Sequence, residues 1–177
     1  MSDFCAATEL ARLREDYVAI ERLLQRSDER LARVVPPVSG WSAEQHLAHL
    51  ALANELVCRN LRSLLKGSGA LVIDEGDPPA DALAVLESGR FPRGAAQAPR
   101  MVRPPEQVRR DYLADWLAGN RLDFDELSAR TGEIEAASKR IPHQVLGPLT
   151  AARWLRFAAM HTRHHLDIAR EVLSACS

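Results

Sequence analysis

His161 and His165 stand four residues apart inside an apolar stripe. Trp154, Ala158, His161, His165, Ile168 and Val172 step by four, three, four, three and four, so on a helix they share one face. Two middle positions of a core seam are therefore imidazole. A buried polar group left without a partner costs ~1–3 kcal/mol, so such rings need hydrogen bonds or a metal. The four-residue spacing brings both rings within reach of one ion. Alone the pair carries little weight, because helices hold such pairs by chance and on their surfaces. An earlier segment adds His46 and His49 on or beside its own apolar side. If the two helices face each other, a third imidazole completes a facial set. Three neutral nitrogen donors leave at least one coordination position open on zinc or nickel, the layout of a catalytic site and not of a closed structural one. Iron and manganese are compatible with the same donors, whereas magnesium and calcium prefer oxygen. The competing reading is two or three core histidines satisfied by backbone, Asn54 or Asp167.

The elements that must position these rings are helical. Leu10, Leu13, Tyr17, Ile20, Leu24 and Leu31 keep heptad-like spacing, with Ser27 interrupting one turn. They predict a helix over residues 8–34, ended by Pro36 and Pro37. Ser42 and Gln45 form a capping-box pattern at the start of a second helix, with Gly67 as its stop. Glu44 and Glu55 fall on that helix's polar side. Pro105 opens a third helix with the stripe Leu113, Leu117, Phe124 and Leu127, and Gly132 ends it. Thr150 caps a last helix over residues 151–174.

Two connections separate them. Residues 68–104 are rich in Pro, Gly and Ala, with a short helix expected over 80–87. The segment is either a passive crossover or a lid over a cleft. Residues 133–149 read as irregular, and no strand pattern competes anywhere. The prediction is a single all-α domain over residues 1–177, a four-helix bundle. The long crossover between helices two and three lets them run parallel, which gives an up-down-down-up order.

Bulk properties exclude several function classes. The chain has 177 residues, 46% hydrophobic and 27% charged, with a formal net charge of −1. Such a balance offers no basic field for nucleic acid. No run approaches the ~20 apolar residues of a membrane span. Cys5, Cys58 and Cys176 are odd in number and widely spaced, which argues against a disulfide framework and for a cytoplasmic location. The opening Met1-Ser-Asp-Phe-Cys5 leads into a charged amphipathic pattern, unlike a signal peptide.

Three stretches also carry a resemblance: Gly40-Trp-Ser-Ala-Glu-Gln-His-Leu-Ala-His-Leu50, His143-Gln-Val-Leu-Gly-Pro-Leu-Thr-Ala-Ala-Arg-Trp-Leu-Arg-Phe157, and His161-Thr-Arg-His-His-Leu166. Together they resemble the DinB-like superfamily, also described as YfiT-like metal-dependent hydrolases, over nearly the whole chain. The resemblance implies His49, His161 and His165 as metal ligands, the up-down-down-up bundle, and often a homodimer. It implies a metal-dependent enzyme acting on a small molecule, either a hydrolase or an S-transferase that uses a low-molecular-weight thiol. His164, about 100° from His165 on a helix, then points away from the ion. His143 is either a turn residue or one that approaches the cleft. Family members often carry Gln three residues after the last ligand; here that position is Ile168, so one polar group behind the ligand is missing. No Ser, Cys or carboxylate stands out as nucleophile or base. The alternatives are a non-catalytic metal or small-molecule binding module and a metal-free dimeric bundle.

Overall fold

Apolar residues at three- and four-residue spacing wind into four long helices, and the breaks between them fall where capping and tertiary contacts dictate. The computed structural model describes residues 4–94 and 97–175, so Cys176 and residues 1–3 lie outside it. Helix α1 spans Ala6–Leu23, α2 Asp28–Ala32, α3 Ala43–Lys66, α4 Ala80–Ser88, α5 Arg110–Leu127, α6 Thr131–Ala136 and α7 Ala151–Ser174. A hairpin pairs β1 (Ile141–His143) with β2 (Gly147–Leu149). The chain is therefore mostly helical.

The expected boundaries of α3 and α7 hold. Ser42 accepts from the Gln45 amide while the Gln45 side chain accepts from the Ser42 amide, which satisfies two orphan donors at once. Gly67 closes α3 at φ 69°, a conformation glycine adopts without penalty. Thr150 caps α7 by accepting from Arg153. The short helix in the crossover is also present as α4, closed by Gly89 at φ 70°.

Four expectations need correction. The first predicted helix is two helices: the chain turns after Leu23, and Ser27 sits in extended backbone ahead of α2. The third begins at Arg110 and not at Pro105, because the carbonyls of Pro105 and Glu106 turn back to accept from Gln45. Gly132 does not end a helix; it lies inside α6, which follows a short 3-10 turn at Ser128–Arg130. The second connection holds the hairpin, anchored where Trp154 Nε1 donates to the Ile141 carbonyl at 3.1 Å.

Side-chain pairs fix the directions of the long helices. Tyr17 meets Asn120 and Arg14 meets Asp125, so α1 and α5 run opposite ways. Glu9 meets Arg156 and Asp16 meets Arg163, so α1 and α7 run together. Trp116 donates to Glu55 and Arg62 to Asp123, so α3 and α5 run together. The main core gathers Leu13, Ile20, Leu47, Leu61, Leu113 and Leu155, all almost fully buried. A smaller cluster holds Leu31, Ala43, Ile168 and Val172. No helix among the described residues is long and apolar enough to cross a membrane.

Candidate metal centre

The antiparallel contact of α3 with α7 brings the predicted histidines together. One helical turn separates His161 from His165, and His49 enters from the facing helix. Each of the three offers one ring nitrogen, and these nitrogens all lie within 4.8 Å of one another. The ring centroids of His49 stand 4.9 Å from His161 and 4.5 Å from His165, and the last two are 4.6 Å apart. His49 is buried, and the other two are partly so.

The donor geometry suits one ion. The Nε2 atoms of His49 and His161 are 3.1 Å apart. Two nitrogens sharing a cation at ~2.0–2.1 Å, with an angle of roughly 90–109°, would stand about 2.9–3.4 Å apart. The other nitrogen of His49 is occupied, since Nδ1 lies 2.6 Å from the Val102 carbonyl. A carbonyl can only accept, so Nδ1 carries the proton and Nε2 keeps its lone pair. This is how a metal-binding imidazole is usually oriented. His165 Nδ1 faces His46 Nδ1 at 2.9 Å, which leaves Nε2 as the available donor. His161 Nδ1 is buried without a hydrogen-bond partner.

Burial keeps these rings neutral, the form that binds metal. Desolvation pushes His161 and His165 well below the usual imidazole range, and the neighbouring histidines push the same way. His49 is lowered by burial, partly offset by its bond to Val102. Burial, then His49, His164 and Arg93, takes His46 down to about 4.

The remaining histidines divide by role. His164 is half-buried, with its ring perpendicular to that of His165, and faces Phe91. His143 does two things: its Nδ1 accepts from the Val145 and Leu146 amides in the hairpin turn, and its ring lies 4.6 Å from Phe157. Neither belongs to the three-nitrogen cluster. The suggested partners Asn54 and Asp167 do not serve the cluster either. Asn54 donates to Tyr17 and Thr162, and Asp167 pairs with Arg170. Glu55 is only half solvated, since it accepts from Trp116 Nε1 at 2.8 Å.

Several contributors were given no role from the sequence. The crossover touches the site twice, through the Val102 carbonyl on His49 and through Phe91 against His161 and His164. Trp41 lies over His49 and His46, at 5.2 and 5.4 Å between centroids. Phe157 stacks on His161 at 5.1 Å. A carbonyl leaves no trace in side-chain patterning, and an aromatic in a Pro-rich loop looks like any other buried anchor. Two surface hollows among the described residues lie elsewhere. One, of about 590 Å³, runs between α3 and α5 beside Tyr112 and Trp116; the other, of about 300 Å³, lies beside Arg30 and Leu173.

Comparison with known proteins finds one family. The model of the DinB superfamily matches residues 12–169, which takes in all three cluster histidines. The Bacillus subtilis (strain 168) protein named "Uncharacterized protein YuaE" is 24% identical over 150 residues, covering 82% of this chain and 85% of that one. No solved structure matches significantly.

Proposed function

This chain belongs to the DinB superfamily, and from that membership we propose that it is a metal-dependent enzyme whose ion is held by His49, His161 and His165. The observation that carries the reading is the convergence of three neutral imidazole nitrogens from two helices within 4.8 Å. The donor set favours zinc or nickel, with iron or manganese next. A divalent cation bound there would supply Lewis acidity toward a substrate oxygen or sulfur at the position the three rings leave open.

The chain's own residues account for the rest. The Val102 carbonyl holds the His49 tautomer. Trp41, Phe91 and Phe157 wall the cluster with apolar rings, which limits water and favours a substrate with an apolar portion. On this reading the crossover serves as a cover and not as a passive link. The reaction is hydrolysis or transfer to a low-molecular-weight thiol. Among the described residues no carboxylate hydrogen-bonds to a cluster ring, and that favours a second reading, a binding module without turnover. The same proposal takes the four long helices as an up-down-down-up bundle, supported by the directions of their side-chain pairs, and the native state as a cytoplasmic homodimer.

Metal analysis of the purified protein tests the centre. One equivalent of a transition metal is expected, lost in His161→Ala. Absence of metal, with melting unchanged on adding zinc or nickel, would overturn it. Assays with esters, amides and thiol-conjugation substrates then divide enzyme from binder, and light scattering reads the oligomeric state.

A further inference from the structure

We infer that His46, through Ser39, is a positioning residue that sets the tautomer and orientation of His165 as a metal ligand. The inference rests on the three-histidine reading and adds a residue to it. His46 is 3% exposed, so it is not a surface group that happens to lie close. Its Nδ1 is 2.9 Å from His165 Nδ1, and its Nε2 is 2.9 Å from Ser39 Oγ. Both ring nitrogens are engaged, so His46 has none left to serve as a fourth ligand.

The proton count gives the chain a direction. Two facing ring nitrogens share one proton. When His165 presents the Nε2 lone pair to a cation, its proton sits on Nδ1 and His46 Nδ1 must accept it. The neutral His46 ring then carries its own proton on Nε2 and donates it to Ser39 Oγ. Ser39 is fixed in turn: Oγ also accepts from the Trp41 amide at 3.1 Å, and the Ser39 amide donates to the Val35 carbonyl at 3.0 Å. A turn ahead of α3 thereby holds a ligand on α7.

The three ligands differ in this respect. His49 is oriented by a backbone carbonyl, and His161 has no partner on Nδ1. Only His165 is oriented by a replaceable side chain. Ile168 cannot do it, because it is buried in the apolar cluster with Leu31, Ala43 and Val172. The polar support for the last ligand comes across the helix interface from α3.

The test compares His46→Phe, His46→Asn and Ser39→Ala with the wild type. Zinc affinity is read by chelator competition, the cobalt-loaded visible spectrum reports geometry, and ¹⁵N shifts of the His165 ring report its tautomer. Loss of an oriented partner behind a ligand typically weakens metal binding about 10–100-fold, and that is expected for His46→Phe with a changed cobalt spectrum. His46→Asn keeps an acceptor oxygen near the Nδ1 position and should recover most of the loss. Ser39→Ala should weaken zinc less than His46→Phe. Wild-type affinity and spectrum in His46→Phe, or an Asn variant as weak as the Phe variant, would overturn the inference. If His46→Phe does not fold, Ser39→Ala decides in its place, and unchanged zinc affinity there is equally fatal. His161→Ala separates the two readings. If it too binds zinc normally, the three-histidine centre is wrong; if it alone loses zinc, only the role of His46 is.

Discussion

Gly89 leaves the space that the Arg156 guanidinium fills. A Cβ added at Gly89 would stand 2.8 Å from Arg156 Nη2, and the residue holds a φ of +70°. The same guanidinium donates through Nε to the Leu86 carbonyl at 3.0 Å and through Nη1 to Glu9 Oε1 at 2.9 Å. Two residues beyond Gly89, Phe91 lies against His161. The Arg156 guanidinium thus ties the end of α4, the start of α1 and the second turn of α7 to the segment that carries Phe91.

Gly89→Ala should therefore be destabilising on two counts. The left-handed conformation costs a Cβ-bearing residue ~1–2 kcal/mol, and the guanidinium must move as well. Urea denaturation should show a loss on the order of 2 kcal/mol or more. A variant as stable as the parent would mean that Arg156 relaxes freely and the contact holds nothing in place.

The Glu9–Arg156 pair is nearly inaccessible to water, with side chains 4% and 11% exposed. Removing one partner from such a pair leaves a buried charge alone and typically costs ~3–5 kcal/mol, whereas replacing both by apolar residues is often neutral or better. Arg156→Met should fall in the costly range, and Glu9→Leu with Arg156→Met should recover much of it. The half-exposed Arg12, which also pairs with Glu9, blunts the single-variant effect. A double variant no better than Arg156→Met alone would show that the bond to the Leu86 carbonyl, and not the charge pairing, carries the stability.

Much of this fold was legible because it is written locally. The Ser42–Gln45 box, the Gly67 stop and the Thr150 cap are each decided within a few residues; α3 begins and ends, and α7 begins, where those signals stand. The break after Leu23 and the late start of α5 were not legible. Arg110 reaches across to Asp28 and to the Leu24 carbonyl, partners no window around Arg110 contains. The hairpin escaped because strands of three residues hold too few side chains to show alternation. At the site, the i, i+4 pair on α7 was readable from spacing. The choice between His46 and His49 was not, since they lie about 60° apart on one helix. Tertiary contact separates them: the Val102 carbonyl takes one, Ser39 the other.

Asp16 predicts a pH effect away from the metal. It is 1% exposed. Arg163 Nη2 stands 2.6 Å from Oδ1, yet neither carboxylate oxygen has an aligned hydrogen bond. Burial raises its pKa from 3.8 to about 6, with Arg163 pulling the other way. A raised acid pKa in the folded state means that stability is fully present below pH ~4 and is lost as pH rises through about 6. That rise corresponds to on the order of 2–3 kcal/mol. Asp16→Asn cannot ionise, so its stability relative to the parent should improve steadily between pH 4 and 7. A difference that stays flat over that range in thermal melts would show that the Arg163 contact fully compensates the burial.

His161 should matter far more for metal binding than for stability. Without a cation, its Nε2 shares a proton with His49 at 3.1 Å, while its Nδ1 stays buried and unpaired. An unsatisfied buried group of this kind costs ~1–3 kcal/mol. Phe157 already stacks on the ring at an interplanar angle of 23°, so a phenyl group would keep that packing and discard the orphan nitrogen, but it would also leave His49 Nε2 without its donor. The two orphan costs nearly cancel, so His161→Phe in chelator should melt within a few degrees of the metal-free parent, each 1 kcal/mol of difference moving the melting temperature by roughly 2–4 °C in a domain of this size. Adding zinc should raise the melting temperature of the parent and leave the variant unmoved, because only the parent has a folded-state site to link to. If the variant is instead much less stable in chelator, the His49–His161 bond holds the metal-free fold together by itself. The cluster would then be a self-sufficient polar core, not a site held in readiness for an ion.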